Sequence, residues 1–312
     1  MTPVAARAQS AGNARANLPR RTPLTIVPDT APAAIAHYEN FPVASWLCPP
    51  QLRPPIAAIY HFARTADDIA DEGDASAAQR LSQLRLYRRD LHAVAAGAAP
   101  SGSWPHVFGP LAMSMRDFAL PLAPLDDLLS AFAQDVAHTR DGATYAGWPQ
   151  LLDYCRRSAN PVGRLLLHLY GVTSDQALAE SDAICTALQL INFWQDLSVD
   201  IPRGRYYLPL DACAAHGLPV RQPARDFGAL KADANTTKLI AACAAWTSAE
   251  MQKGLQLVHR IPGRAGWELR AVIQGALCVL GKVQALGPRV LHQRPKLTRA
   301  DAPRVLWRML RM

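Results

Sequence analysis

ICTALQLINFWQDLSVD, residues 184 to 200, is the stretch from which the fold is read. Its polar residues Gln189, Asn192, Asp196 and Asp200 fall at helical spacing, which gathers them on one narrow arc at about 3.6 residues per turn. Ile184, Leu188, Ile191 and Leu197 occupy the other faces, so the segment predicts a largely buried helix carrying a single polar stripe. IYHFARTADDIAD, residues 59 to 71, repeats the design with Tyr60, Arg64, Asp67 and Asp71, backed by Ile59, Phe62 and Ile69. A lone D-x-x-x-D on a helix is ordinarily a solvated face. Two such stripes amid apolar neighbours are different, because each carboxylate needs a partner and an unpaired buried charge is costly.

If two helices face each other across these stripes, Asp67, Asp71, Asn192, Asp196 and Asp200 form a cage for a hard divalent cation. The donors are all oxygen with no His or Cys cluster, which selects magnesium over zinc. Magnesium held by few carboxylates keeps positions for water and phosphate, and Arg64, Arg203 and Arg205 add forked donors for such a group. A diphosphate site in a mostly apolar helical protein points to a prenyl diphosphate. Its ionisation to a carbocation requires a dry space and stabilisation of the leaving pyrophosphate.

The remaining sequence is consistent with one large helical domain. The chain has 312 residues, of which 50% are hydrophobic, and a formal net charge of +8. Ala- and Leu-rich helical pattern runs from about Ala33 to Leu286, punctuated by Pro and Gly. No alternating strand, internal repeat, G-x-G-x-x-G or P-loop occurs, so the expected class is all-α with a site between facing helices. The positive charge suits anionic company, but no nucleic-acid-binding module or aromatic-basic patch is present, and no nucleic acid partner is expected. No uninterrupted 18-residue apolar run exists, so no membrane span is expected. Six dispersed cysteines read as reduced core residues of a cytoplasmic protein.

Three regions follow. Residues 1–32 read as a disordered basic Ala/Pro-rich tail, whose prolines spoil the amphipathic helix of a transit peptide. Residues 33–288 form the helical domain. Residues 289–312 are a basic extension in which Val305, Leu306, Trp307, Met309 and Leu310 alternate with Arg304, Arg308 and Arg311. Such a short amphipathic helix suits peripheral contact with the anionic inner face of the cytoplasmic membrane, or docking on the protein's own flank.

YHFARTADDIAD (60–71), LLDYCRRSANPVGRLLLHLYG (151–171) and QLINFWQDLSVDIPRGRYYLP (189–209) together resemble the successive signatures of the squalene and phytoene synthase family. The resemblance runs from about His37 to the C-terminus, in the family's order. It implies an isoprenoid synthase fold with a central cavity. It implies metal binding by Asp67, Asp71, Asn192, Asp196 and Asp200. Tyr60, Arg64, Gln189 and Arg205 match positions that bind or orient diphosphate, and Tyr154 matches the tyrosine associated with the first half-reaction. His37 and Gln274 are further candidate substrate contacts, set against ordinary capping or packing roles.

Within the family, HYENFPVASWLCP (37–49), NPVG (160–163), the aromatic pair of INFWQD, ELRAVIQGALCVLGKV (268–283) and VLWRML (305–310) resemble the hydroxysqualene synthases of bacterial hopanoid biosynthesis. That branch implies presqualene diphosphate as substrate, with water quenching the rearranged cation and no NADPH. Where many condensing relatives carry Ser-Lys-Ser-Phe, this chain has Tyr38, Glu39, Asn40 and Phe41. Replacing a lysine by Glu39 weakens contact with a second diphosphate, which disfavours head-to-head condensation. A tyrosine common in the last core helix is matched by Ala276. A non-catalytic carrier on the same fold would have no reason to keep both stripes.

Other residues carry weaker signals. Pro161, if inside the helix that follows Tyr154, would free a carbonyl at Arg157 to hold a water; a packing kink beside Gly163 accounts for it equally well. Trp46, Phe41, Phe62, Phe193 and Trp194 line the hydrocarbon site or are plain core. His61 reads as a surface residue and His168 as a satisfied core histidine.

Overall fold

The computed structural model describes residues 48–218, 227 and 230–312. His37, Tyr38, Glu39, Asn40, Phe41, Trp46 and the tail lie outside them. Helices α1 (Arg53–Asp71), α2 (Ala77–Ala95), α3 (Pro105–Phe118) and α4 (Leu122–Asp141) build the first half. Then come α5 (Trp148–Ser158), α6 (Asn160–Leu169), α7 (Asp175–Gln195), the short α8 (Leu197–Asp200) and α9 (Leu210–Ala215). The chain continues as α10 (Ala234–Gly254), α11 (Ala265–Leu286) and α12 (Ala302–Leu310). No strand occurs among the described residues.

Local chemistry fixes where these helices begin. Pro54 and Pro55 occupy the first turn of α1, where a missing N–H costs nothing. Ser76 and Gln79 form a reciprocal capping box at α2. Ser174 caps α7 and Asp233 caps α10.

Two apolar clusters hold the halves together. In the first, Phe62 from α1 stacks on Tyr87 at 5.2 Å and meets Phe108 edge-on at 6.2 Å, while Tyr87 Oη donates to Phe62 O at 3.0 Å. Phe62 is therefore plain core. In the second, α7 is the central post, packed against α6, α10 and α11. Trp194 is fully buried there, its Nε1 donating to Thr247 Oγ1 at 2.9 Å, so it too is core. The faces flanking the two stripes are buried as expected, with Ile69 partly exposed.

The NPVG segment seats α6 on α7. Asn160 is buried and accepts from Thr186 Oγ1 at 3.0 Å. A Cβ on Gly163 would stand 2.4 Å from Ser181 Oγ and 2.6 Å from Cys185 Sγ, so only glycine permits this approach. Pro161 is not inside the Tyr154 helix: α5 ends at Ser158, and Pro161 lies in the first turn of α6. No interior helix bond is broken, so the freed-carbonyl reading of Pro161 loses its basis.

Two features of the C-terminal part bear on the expectations drawn from sequence. The span Ala265–Leu291 is long and apolar enough to cross a membrane by length and composition alone. Glu268, Arg270, Gln274 and Lys282 interrupt its apolar run, yet its mean hydropathy stays high, and here it packs on α7, α10 and α12. Within residues 289–312 the expected short helix is α12, and it lies along α11. All six cysteines are free and buried.

Candidate active site

The first stripe rides on α1 without interruption. Arg64 reaches Asp67 at 3.1 Å, Asp68 at 2.6 Å and Glu72 at 2.5 Å. The second stripe is bent. α7 stops at Gln195, Asp196 takes the cap position at φ −102°, and α8 resumes at Leu197. The bonds from Asp196 N to Asn192 O and from Asp200 N to Asp196 O, at 2.9 and 2.8 Å, carry the helical phase through the bend.

Arg205 joins the two stripes. Gly204, at φ 75°, turns the chain back after Ile201–Arg203, and Arg205 N bonds Asp200 O at 3.0 Å. The guanidinium then donates from Nε to Asp200 at 2.9 Å and from Nη1 to Asp71 at 2.8 Å. Burial opposes its charge, but Asp200, Tyr207 and Asp71 outweigh that and hold Arg205 above its usual value. Arg203 is exposed.

Asp135 on α4 completes the cluster, and no local spacing in the sequence marks it. It is partly buried and accepts from Tyr154 Oη at 2.5 Å. Burial pushes its carboxyl up to about 7, against the Tyr154 hydrogen bond and Arg205, with Asp67 and Asp200 adding to the rise. Burial likewise raises Asp67 to about 6, aided by Asp71, and Asp200 to about 6 against Arg205. Beside this acidic group stands an aromatic wall. Phe193 and Tyr207 stack at 3.8 Å with their planes 7° apart, and Tyr154 lies 6.0 Å from Tyr207 and 5.7 Å from Tyr145. Thr144 Oγ1 pins the segment leading to Tyr207 by donating to Tyr206 O at 2.9 Å.

The remaining expected residues are placed differently. Asp196 is held by Arg294, whose Nη2 donates at 3.0 Å, and Gln195 Nε2 donates to Pro295 O at 2.8 Å. Gln274 is buried, but its amide meets Met312 Sδ at 3.4 Å, a poor acceptor. Tyr60, Gln189 and Asn192 are partly buried on their helices. His61 is exposed, and His168 Nε2 bonds Phe118 O at 2.9 Å, a satisfied structural histidine.

The expected cage is therefore only partly formed by carboxylates alone. Among the described residues no three Asp, Glu, His or Cys side chains converge as a metal-binding group. Arginines stand between the acids instead. The donor set still fits magnesium, because every expected donor is a carboxylate or amide oxygen and no His or Cys stands among them.

The geometry has close relatives. Residues 35–301 match the squalene/phytoene synthase family. Hydroxysqualene synthase of Rhodopseudomonas palustris is 33% identical over 252 residues, covering 80% of this chain and 81% of that one. Presqualene diphosphate synthase of the same organism is 30% identical over 204 residues, covering 64% and 70%. The crystal structure of squalene synthase HpnC from Alicyclobacillus acidocaldarius superimposes with a TM-score of 0.70 at 33% identity, over 80% of this chain and 90% of that one. The fold is thus the all-helical isoprenoid synthase fold, built to act on prenyl diphosphates. This chain belongs to the squalene/phytoene synthase family of enzymes.

Proposed function

We propose that the enzyme converts presqualene diphosphate and water to hydroxysqualene and diphosphate. The observation that carries this reading is the junction of the two aspartate motifs at Arg205, directly beside the Tyr154, Phe193 and Tyr207 wall. A charged mouth next to an aromatic interior suits a substrate with one diphosphate and two prenyl chains. Arg64 and Arg205 orient the diphosphate and stabilise charge as the ester C–O bond breaks. Magnesium, held by Asp67, Asp71, Asn192, Asp196 and Asp200, would supply further charge for that departure.

The faces of Phe193, Tyr207 and Tyr154 present negative quadrupole to the carbocation left behind. Water then forms a C–O bond to the rearranged cation and gives up one proton. Asp135, bonded to Tyr154 and raised to about 7, is matched to take it near neutral pH. Water rather than hydride closes the sequence, so no NADPH is required.

The test is product analysis by mass spectrometry. Purified protein is incubated with magnesium and either presqualene diphosphate or farnesyl diphosphate, each with and without NADPH. Hydroxysqualene from presqualene diphosphate alone supports the reading. Presqualene diphosphate or phytoene made from a prenyl diphosphate overturns it in favour of the condensing branch, and no turnover favours a carrier role.

A further inference from the structure

We infer that α12 and the start of α11 form a docking surface for an anionic lipid bilayer. The argument starts from the three arcs of α12. Val305 and Met309 lie within one arc at about 100° per residue, and both are partly buried, as is Met312 just past the helix, which meets Gln274 of α11. That arc is the one spent on the protein's own flank. Leu306, Trp307 and Leu310 lie on a second arc and are 58%, 56% and 68% exposed. Arg304, Arg308 and Arg311 fill the third. Docking on α11 therefore leaves a second apolar strip facing outward.

The start of α11 adds a second aromatic-basic pair, Trp267 with Arg270. Trp267 is 45% exposed. Two exposed tryptophans each carry an arginine on their ring, Arg270 over Trp267 at 4.5 Å and Arg311 over Trp307 at 4.1 Å. Tryptophan rings flanked by arginine suit the headgroup layer, where the ring sits at the apolar boundary and the cation meets phosphate.

Charge selects the occupant. Residues 302 to 312 contain three arginines and no acid, which complements anionic headgroups. A second copy of the chain would bring the same positive charge. The nine-residue helix is also only about 14 Å long, a small strip against the roughly 800 Å² per partner of a stable dimer.

The experiment is co-sedimentation of the full chain with vesicles of phosphatidylcholine, alone or with about 30% phosphatidylglycerol. Binding to the anionic vesicles is expected, weakening about fivefold for each arginine among Arg304, Arg308 and Arg311 changed to Gln, and less at high salt. The combined Leu306→Ser, Trp307→Ser and Leu310→Ser variant should lose binding while keeping its thermal melt and its turnover of detergent-dispersed substrate. Absence of binding, or binding untouched by that variant, overturns the inference. So does a concentration-dependent dimer that the same variant abolishes. Binding is read without turnover, so this outcome is independent of which reaction the enzyme performs.

Discussion

Arg205 lies 2.8 Å from Asp71, although 134 positions separate them. That contact ties the loop behind α8 to the last residue of α1, so the two aspartate motifs are held by one side chain. Arg205→Ala removes charge-assisted bonds to both Asp71 and Asp200 and a contact for the leaving diphosphate. kcat/KM should fall about 10²- to 10³-fold. Arg205→Lys should recover only part, because an ammonium cannot fork between the two carboxylates. Steady-state kinetics checks this, and full activity in the lysine variant would mean that charge alone suffices.

Tyr154 and Asp135 separate chemistry from stability. Asp135→Asn keeps an acceptor for the Tyr154 hydroxyl but removes a carboxyl that burial holds at about 7. Its melting temperature should stay level or rise, while turnover falls about 10²-fold. Tyr154→Phe instead strands Asp135 and should lower both. Single-turnover rates and thermal melts measured together decide the point. Parallel losses of stability in the two variants would make the pair structural.

Much of this arrangement is legible in the sequence, and the reasons it stops are physical. Helical spacing identifies both stripes because Tyr60 to Asp71 and Gln189 to Asp200 are each local. Spacing is silent on Asp135, which reaches Tyr154 from another helix, and on Arg294, which meets Asp196 across 98 positions. Nor does spacing reveal a bend at Asp196, since the hydrogen bonds through it keep the same phase. Pro161 shows the opposite error: proline reads as a kink inside a helix unless the break at Ala159 is known. In sequence the α12 stripe fits membrane and flank equally, because its two apolar arcs read alike, and only the packing on α11 tells them apart.

The NPVG segment offers a packing test. Gly163→Ala places a methyl within 2.4 Å of Ser181 Oγ and 2.6 Å of Cys185 Sγ, forcing α6 away from α7. The cost should be about 1 to 3 kcal/mol, seen as a lower denaturant midpoint. Gly109→Ala in α3 is the control, because nothing lies within 4 Å of the added carbon. It should be neutral or stabilise by about 0.5 to 1 kcal/mol through helix propensity. Equal effects at the two sites would show that the close approach is absent in solution.

The acidic cluster also sets a pH dependence. Asp67 and Asp200 are raised from 3.8 to about 6 and Asp135 to about 7, each chiefly by burial. In that window the folded protein binds more protons than the unfolded chain, so these groups make stability fall as pH rises from about 4 to about 7. The penalty is complete above the folded values and vanishes below the unfolded one. After chelation, the melting temperature should therefore drop between pH 5.5 and 8 more than in Asp135→Asn. Magnesium should restore more at pH 8 than at 5.5, because protonated carboxyls do not bind it. Thermal melts across pH with chelator or magnesium test both arms, and a magnesium shift of equal size at the two pH values would remove these carboxylates from the binding set.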